Sequence, residues 1–298
     1  MNDRLVVVGP GRMGLALGSA LRAARGVEHI TFFGRGIEPP PHPLFEPVPD
    51  GPEWEAPPPV EYRMIPATIP QGTTLLLLAV PDSALAEVAY EVTRFGPAPP
   101  GCAALHLSGA LSTDVLAPLH HAGYTTGSLH PLQAVADPWL AGERLHGITF
   151  ALAGEPAAIA AGRRIASALA GTTLVIAPAL RPLYHAAAVL ASNYLVAVVG
   201  AAVRVLVQAG VPEEEALPAL LPLLRGTLEN VAQLGVPAAL TGPIARGDAD
   251  TLRLHLARLS ARERTLYCAL GLELLELARA AGLAPERAEE IEALLTSG

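Results

Sequence analysis

Apolar and polar positions divide the chain into two parts with different periods. In the first part, apolar runs of strand length alternate with stretches of helical period. The run at residues 75–80 is continuously apolar, which is typical of a parallel strand covered on both faces. This alternation predicts an α/β domain with a doubly wound, mainly parallel sheet. The expected strands are residues 5–8, 29–33, 75–80, 102–107, 125–129 and 147–152.

The pattern changes near residue 154 and becomes largely helical. A strand at residues 172–177 is the one exception, and it is expected to belong to the first domain. Glycine and proline pairs near residues 210, 235, 242 and 282 break the remaining sequence into helices. We therefore expect domains at residues 1–154 and 178–298, the second all-α. Its apolar faces at residues 217–224 and 266–277 predict a homodimer.

No charged residue lies between Arg181 and Arg204. A span of that length is long enough to cross a bilayer. It contains His185, Ser192 and Asn193, however, so the preferred interpretation is a buried central helix, with a membrane span as the alternative.

Upstream, the prolines of residues 39–59 predict a stiff extended loop, with a partner-binding motif as the alternative.

A glycine motif follows the first predicted strand. Gly9-Pro10-Gly11-Arg12-Met13-Gly14 stands between residues 5–8 and an expected helix at residues 15–24. In this arrangement Gly9 permits a tight turn, Gly11 lets backbone approach a pyrophosphate, and Gly14 lets the helix pack on the strand. The motif predicts a Rossmann domain that binds a dinucleotide. A glycine turn that binds nothing is the alternative.

Arg35 indicates which dinucleotide is bound. The second strand ends in Gly34-Arg35-Gly36, where a site for NAD usually carries an acidic side chain. An arginine can pair with the additional phosphate of NADP by charge-assisted hydrogen bonds. The sequence therefore predicts NADP, unless Arg35 is only a solvated side chain at a strand end.

Composition excludes several classes of function. The net charge is −8 and there is no basic cluster, which argues against nucleic-acid binding. All 20 basic side chains are arginines, so lysine chemistry is excluded. Cys102 and Cys268 lack metal-ligand spacing, and we expect no metal site. No signal peptide precedes the first strand, so the expected location is the cytoplasm.

Polar residues at the carboxyl ends of parallel strands are the candidates for catalysis. His130 follows a short strand and is held by Pro131, and an imidazole that titrates near neutrality suits proton transfer. Ser108 ends another strand, where its hydroxyl could orient a substrate. On the apolar helix, His185 and Asn193 are expected to position a small polar substrate in a cleft between the domains. Each of these residues also has a structural alternative in capping or internal hydrogen bonding.

Arg246 lies in the segment Thr241-Gly242-Pro243-Ile244-Ala245-Arg246-Gly247-Asp248. It is expected to pair with a carboxylate, and contact with an anionic substrate is the alternative.

Taken together, these motifs resemble the Rossmann-like proteins that carry a C-terminal DUF2520 domain. The resemblance rests on the glycine motif, Leu78-Ala79-Val80-Pro81-Asp82, His106-Leu107-Ser108-Gly109-Ala110, Gly127-Ser128-Leu129-His130-Pro131, His185 with Ser192-Asn193, and the Arg246 segment. It implies an NADP-binding domain, with Ala79, Val80 and Pro81 lining the cofactor, and a helical dimerisation domain. The family is similar to pyrroline-5-carboxylate reductases and to beta-hydroxyacid dehydrogenases.

A more distant similarity to prephenate dehydrogenases implies that Ser108 and His130 orient the reacting group. Beta-hydroxyacid dehydrogenases carry a lysine four residues before an asparagine, and here Val189 holds that position relative to Asn193. The sequence therefore predicts an NADP-dependent oxidoreductase with His130 as proton donor or acceptor. The alternative is an NADP-binding or redox-sensing protein without catalysis.

Overall fold

The computed structural model describes residues 3–46 and 56–297. Its strands are β1 (Arg4–Val8), β2 (His29–Gly34), β3 (Val60–Met64), β4 (Leu75–Leu78), β5 (Ala103–His106), β6 (Thr125–Pro131), β7 (Thr149–Gly154) and β8 (Thr172–Val175). Its helices are α1 (Arg12–Ala23), α2 (Leu85–Val92), α3 (Ala117–His121), α4 (Pro138–Arg144), α5 (Pro156–Ala168), α6 (Arg181–Val189), α7 (Leu195–Gln208), α8 (Glu213–Leu234), α9 (Pro243–Arg246), α10 (Ala249–Leu256), α11 (Ala261–Ala280) and α12 (Pro285–Thr296). A π-helical turn at Leu190–Tyr194 joins α6 to α7.

The eight strands form one sheet in the order β3-β2-β1-β4-β5-β6-β7-β8. Neighbouring strands from β3 to β6 are parallel, whereas β7 is antiparallel to β6 and β8 is parallel to β7. The direction of winding reverses between β1 and β4, and ligands of such sheets bind at the carboxyl ends beside this point. The predicted fold class, a doubly wound and mainly parallel Rossmann sheet followed by helices, is confirmed.

Alternating side chains of β1 enter two different apolar cores. Leu5 and Val7 pack with residues of α1 and α5, whereas Val6 and Val8 pack with residues of α2 on the opposite face. All four leucines of β4 are fully buried because this strand is central and covered on both sides. Full burial of one such side chain stabilises the fold by about 1.5–3 kcal/mol. The carboxyl ends of these strands are therefore a rigid support for the turns that follow them.

Strand β3 was not predicted from the sequence. It directly follows the proline-rich stretch and lies at the edge of the sheet, where its side chains are half-buried or exposed and its apolar signal is weak. Residues 47–55 of the expected loop lie outside the described residues. Within the described part, a 3-10 turn forms at Pro43–Phe45, and Arg22 of α1 donates hydrogen bonds to the carbonyls of Leu44 and Pro58.

The chain divides into two compact units, the first ending at Ser192 and the second beginning at Asn193. The first unit includes β7, α5 and β8. The strand expected at residues 172–177 is present as β8 and forms the edge of the sheet opposite to β3. In the second unit, α9 to α12 share a core that includes Ile244, Leu252 and Ile291. Asp248 caps α10 and Ser260 caps α11 through hydrogen bonds to backbone N–H groups.

The expectation of a buried central helix is wrong for the single chain. The helical stretch Pro178–Gln208 is largely exposed, and Leu183 and Val196 leave 71% and 73% of their surfaces uncovered. By length and composition alone, it is the one helical stretch of the described residues that could cross a membrane. The sequence pattern identified an apolar helix but not what covers it, because periodicity does not distinguish the interior of one chain from an interface.

Candidate functional site

The glycine motif forms a close-packed turn between β1 and α1. Gly9 has a φ of +101°, a left-handed conformation that favours glycine, and a Cβ there would lie 2.7 Å from the Ala79 carbonyl oxygen. A Cβ at Gly14 would collide with the carbonyl oxygen of Gly9 and lie 3.0 Å from the Ala79 side chain. Both glycines are therefore required by the packing of the turn against the end of β4.

Gly11 differs from its two neighbours in the motif. A Cβ there would meet the Ala79 carbonyl oxygen at an ordinary 3.8 Å, and the residue is exposed. It is the N-cap of α1, and among the described residues no side chain caps this helix and no acid lies in its first turn. The N–H groups at the positive end of α1 are thus open to an anion, as a pyrophosphate site requires. Exposed Arg12 follows at the first position of the helix.

Arg35 lies on the turn after β2, and Tyr62 of neighbouring β3 packs against this turn. A Cβ at Gly34 would lie 2.8 Å from the Tyr62 ring, and the Tyr62 hydroxyl donates a hydrogen bond of 2.8 Å to the Gly36 carbonyl. The Arg35 side chain is exposed and forms no ion pair with any residue in the described ranges. A cation without a protein carboxylate at the carboxyl end of β2 fits a phosphate ligand.

The end of β4 faces the glycine turn. The Ala79 N–H donates a hydrogen bond of 2.8 Å to the Val8 carbonyl, which holds Ala79 and Val80 beside Gly9. Pro81 and Asp82 are exposed at the start of the next helical segment. The segment predicted to line the cofactor thus lies against the glycine motif.

Ser108 is placed at the end of β5, but its hydroxyl is occupied within the chain. It donates a hydrogen bond of 2.8 Å to Asp82 Oδ2 and accepts hydrogen bonds from the N–H groups of Ala110 and Leu111. A hydroxyl has one donor and two acceptor positions, so all three are used. The geometry therefore links Ser108 to Asp82 and to the turn that it starts. Contact between Ser108 and a substrate stays a prediction.

His130 is the centre of the candidate site. Its Nδ1 lies 2.8 Å from the hydroxyl oxygen of Tyr184, and the two rings meet edge-on. The His185 ring is also near, with ring centroids 5.9 Å apart. A Cβ at Gly109 would lie 2.5 Å from His185 Nδ1 and 2.9 Å from His130 Nε2, so only a glycine leaves room for both imidazoles. The structure brings together His130, His185 and the turn after Ser108.

The expectation that His130 titrates near neutrality is wrong. Its pKa is lowered to about 4, chiefly by burial and also by the charges of His185 and Arg181, while Asp82 opposes them. At neutral pH the imidazole is therefore uncharged. It can accept a hydrogen bond or a proton at one ring nitrogen, and it can donate a hydrogen bond from the other. The role of His130 as proton donor or acceptor stays a prediction.

Tyr184 and Arg181 also belong to the candidate site. Tyr184 stands beside His185 in the helix segment that the sequence singles out but was given no role, and Arg181 was not selected. Both come from α6. Tyr184 lies three positions after Arg181 and His185 lies four positions after it, and this spacing places the three residues on one face of the helix. Burial raises the pKa of the Tyr184 phenol, and the positive charge of Arg181 opposes that rise. The spacing was the available signal, but the sequence alone does not show which face meets the end of β6.

Several predicted residues lie elsewhere. Ser192 lies in the π-helical turn, where its hydroxyl donates a hydrogen bond of 2.8 Å to the Ala188 carbonyl. Asn193 belongs to the second compact unit, and its part in the site stays a prediction. In that unit, the pKa of Asp248 is lowered chiefly by its hydrogen bonds with Thr251 and also by the nearby charge of Arg246. This agrees with an Arg246 that interacts with a carboxylate.

The described residues contain no cluster of three or more histidine, cysteine or acidic side chains that could hold a metal ion. Cys102 and Cys268 are both buried free thiols, and burial raises the pKa of the Cys102 thiol to about 12.

Comparison with known proteins supports the fold and the organisation of the chain. Residues 59–131 match the Rossmann-like domain family, and residues 148–274 match a domain of unknown function, DUF2520. No protein with a curated description matches the chain in sequence.

Solved structures with the same fold cover nearly the whole chain. A protein from Thermotoga maritima is 21% identical with a TM-score of 0.67, over 93% of this chain and 99% of that protein. Pyrroline carboxylate reductase from Plasmodium falciparum with NADP bound is 12% identical with a TM-score of 0.60, over 98% of each chain. A reductive aminase from Aspergillus terreus in complex with NADPH and ethyl levulinate is 17% identical with a TM-score of 0.54, over 100% of this chain and 93% of that protein. These structures share the fold of this chain, and its family matches are to a Rossmann-like domain in the first part and to DUF2520 in the second.

Proposed function

We propose that this protein is an NADP-dependent oxidoreductase that acts on a small polar substrate. The observation that carries the proposal is that the open glycine turn and the His130–Tyr184 pair lie at the same edge of one sheet. The turn follows β1 and the pair lies at the end of β6, three strand spacings apart, which is about 14 Å. An extended dinucleotide with its pyrophosphate at the turn would span this separation, so hydride transfer would take place beside the pair and not at the turn.

The residues fit the cofactor. Gly9 and Gly14 shape the turn, Gly11 exposes backbone to the pyrophosphate, and Arg12 and Arg35 supply positive charge for the phosphates. Pro10, Met13, Ala79, Val80 and Pro81 would line the same groove. The pyrroline carboxylate reductase and the reductive aminase that share this fold are described with NADP or NADPH bound, which supports the same choice here. When bound, NADPH supplies the hydride.

Tyr184 is the proposed proton donor and His130 its partner. With a proton on Nδ1, neutral His130 donates to the Tyr184 oxygen and leaves the phenol hydrogen for a substrate oxygen or nitrogen. The positive charge of Arg181 favours the tyrosinate that remains after transfer. This oxygen recovers its proton when His130 releases one from Nδ1 and takes one from water at Nε2. His185 flanks the pair, and Ser108 holds Asp82 beside it. Asn193 is retained as a candidate for substrate positioning.

A non-catalytic NADP-binding or redox-sensing protein is the second candidate. The absence of lysine and the presence of Val189 at the lysine position of beta-hydroxyacid dehydrogenases favour it. The two functions differ in one measurable respect. A sensor binds NADPH without consuming it, whereas an oxidoreductase loses the absorbance of NADPH when a small ketone, imine or other acceptor is added. Binding without turnover across these substrate classes would favour the sensor.

We further propose that the protein is a cytoplasmic homodimer. Apolar residues of the second unit are exposed in one chain, among them Leu223, Leu228 and Leu234, which leave 67%, 55% and 58% of their surfaces uncovered. A second copy that covers these faces and the stretch Pro178–Gln208 explains their composition without a membrane. The two free buried thiols agree with a reducing compartment, and the net charge of −8 argues against nucleic acid as a partner.

A further inference from the structure

Arg181 occupies a position that is unfavourable for a cation. Its side chain is completely buried, and it is the first residue of α6, where the positive end of the helix lies. Its hydrogen bonds to described residues go to backbone carbonyls and not to a carboxylate. Its Nη1 is buried and has no hydrogen-bond partner among the described residues. Burial of an incompletely paired charge is costly, so packing alone does not explain an arginine here.

The guanidinium holds the turn on which the candidate site rests. Arg181 Nε donates a hydrogen bond of 2.8 Å to the Leu111 carbonyl, and Nη2 donates to the Ser108 carbonyl. Between these carbonyls lies Gly109, whose Cα faces the nitrogens of His130 and His185. The planar fork of an arginine can bind both carbonyls at once, whereas a single ammonium cannot fix the turn in the same way.

We propose that Arg181 is a positioning residue for the His130–Tyr184 pair. It clamps the turn from Ser108 to Leu111 against α6 and keeps a fixed positive charge behind the two proton-handling side chains. The inference rests on the proposed function for its purpose, but its geometry and its test do not depend on NADP.

The charge of Arg181 acts on several neighbours in a consistent direction. It lowers the pKa of His130 and of buried His106 on β5, and it opposes the rise in the pKa of Tyr184 that burial causes. Besides Arg181, the charges that act on the pKa of His130 are those of His185 of α6, which lowers it, and Asp82 after β4, which raises it. Two further titratable groups face His130, namely His106 on β5, with which it interacts electrostatically, and the Tyr184 phenol of α6. Arg181 thus makes His130 a poorer base and Tyr184 a better acid, which is the division of roles that a tyrosine proton donor requires.

The test is a pH titration of His130 in the full-length protein, monitored by NMR of the labelled imidazole. The His130 resonance is assigned by its absence in His130→Asn. Arg181→Met removes the charge, Arg181→Gln keeps partial hydrogen bonding, and Arg181→Lys keeps the charge without the fork. Arg22→Met is the matched control, because Arg22 also binds two backbone carbonyls, those of Leu44 and Pro58, without belonging to the site. Thermal unfolding of each variant reports stability separately.

In Arg181→Met and Arg181→Gln we expect the pKa of His130 to rise measurably, because these substitutions remove a positive charge that lowers it. In Arg181→Lys, which keeps the charge, the pKa of His130 should stay close to its value in the unaltered protein. Arg22→Met should lower the melting temperature but leave the pKa of His130 unchanged. An unchanged His130 titration in a folded neutral variant, or an equal shift in Arg22→Met, would overturn the proposal.

If neither neutral variant folds, Arg181→Lys decides. We then expect displaced amide resonances for Ala110 and Leu111, whose N–H groups belong to the clamped turn, and a wild-type spectrum there would contradict positioning. None of these readouts uses the cofactor. Failure to find any reductase activity would therefore not contradict the role of Arg181. Conversely, an unchanged His130 titration in the Arg181 variants would overturn that role without contradicting the proposed function.

Discussion

Nδ1 of His130 lies 2.8 Å from the hydroxyl oxygen of Tyr184, and the two rings are inclined at 85°. One side chain comes from the end of the central sheet and the other from α6, so the contact joins two elements separated by 54 positions in sequence. Because burial lowers the pKa of His130 to about 4, the imidazole is uncharged at neutral pH, and in the proposed mechanism the phenol carries the transferable proton. This relationship is the basis for the proposal that Tyr184, and not His130, donates the proton.

Substitution of either member of the pair should impair turnover without affecting nucleotide affinity. We expect Tyr184→Phe and His130→Asn each to lower kcat by about 10² to 10⁴, the usual contribution of acid-base catalysis. The double variant should be little worse than the single variants, because the two groups act as one unit. Steady-state kinetics, with NADPH affinity measured by calorimetry, checks this prediction. Additive losses, or loss of NADPH binding together with folding, would contradict a shared role.

The buried histidines also predict how stability depends on pH. His106 and His130 have pKa values of about 4 in the folded chain against 6.5 for an ordinary histidine. Between pH 6.5 and 4 the unfolded chain therefore binds protons that the folded chain does not, and stability falls as pH falls, by up to about 1.4 kcal/mol per unit for each histidine. Urea unfolding at pH 7, 6 and 5 measures this slope. His106→Asn should reduce it by about half, and an unchanged slope would contradict the burial argument.

The sequence predicted those elements of the fold whose signal is local. The four leucines of β4 and the turn from Gly9 to Gly14 follow from apolar runs and glycine spacing, and both are present. Edge strand β3 was missed because its side chains are only partly covered. Local pattern therefore suffices for central strands and less so for edges.

The candidate site was predictable only in part, because its chemistry depends on tertiary contacts. His130 was found from its place after a strand, but its low pKa results from burial and from the charges of His185 and Arg181. Arg181 and Tyr184 lie on one face of α6 by their spacing, yet the sequence does not reveal that this face meets the turn after Ser108. The orientation of a helix on a sheet is set by packing and is not encoded in the helix alone.

Two glycines of the motif should respond differently to alanine. In Gly14→Ala the new Cβ collides with the Gly9 carbonyl, so we expect lower stability, by about 1–3 kcal/mol, together with weaker NADPH binding. In Gly11→Ala the Cβ meets the protein only at an ordinary 3.8 Å, and we expect a loss of stability below about 1 kcal/mol but at least about tenfold weaker NADPH binding. Thermal unfolding and calorimetry separate the two effects. Wild-type affinity in Gly11→Ala would contradict the proposed pyrophosphate site.

Arg35 should determine the preference between the two nicotinamide cofactors. NADPH is expected to bind about 10- to 100-fold more tightly than NADH, because a charge-assisted contact with phosphate contributes about 1.5–3 kcal/mol. Arg35→Ala should remove this difference and leave NADH affinity unchanged. Arg63→Ala is the control, since Arg63 on neighbouring β3 is already paired with Glu61 at 2.9 Å. Equal affinities for both cofactors in the unaltered protein would contradict the role of Arg35.

The exposed faces of the second unit should form a two-fold dimer in solution. Leu223 of α8 leaves 67% of its surface uncovered, and burial of such a side chain in each copy contributes about 1.5–3 kcal/mol. Leu223→Glu replaces this gain with two buried carboxylates, so we expect dimer dissociation to become at least about 10²-fold easier. Ile37→Glu is the control, because Ile37 is 84% exposed but belongs to the first unit. Light scattering across a dilution series measures both variants. A monomer at micromolar concentration in the unaltered protein, or equal effects of the two substitutions, would show that these leucines are not the interface.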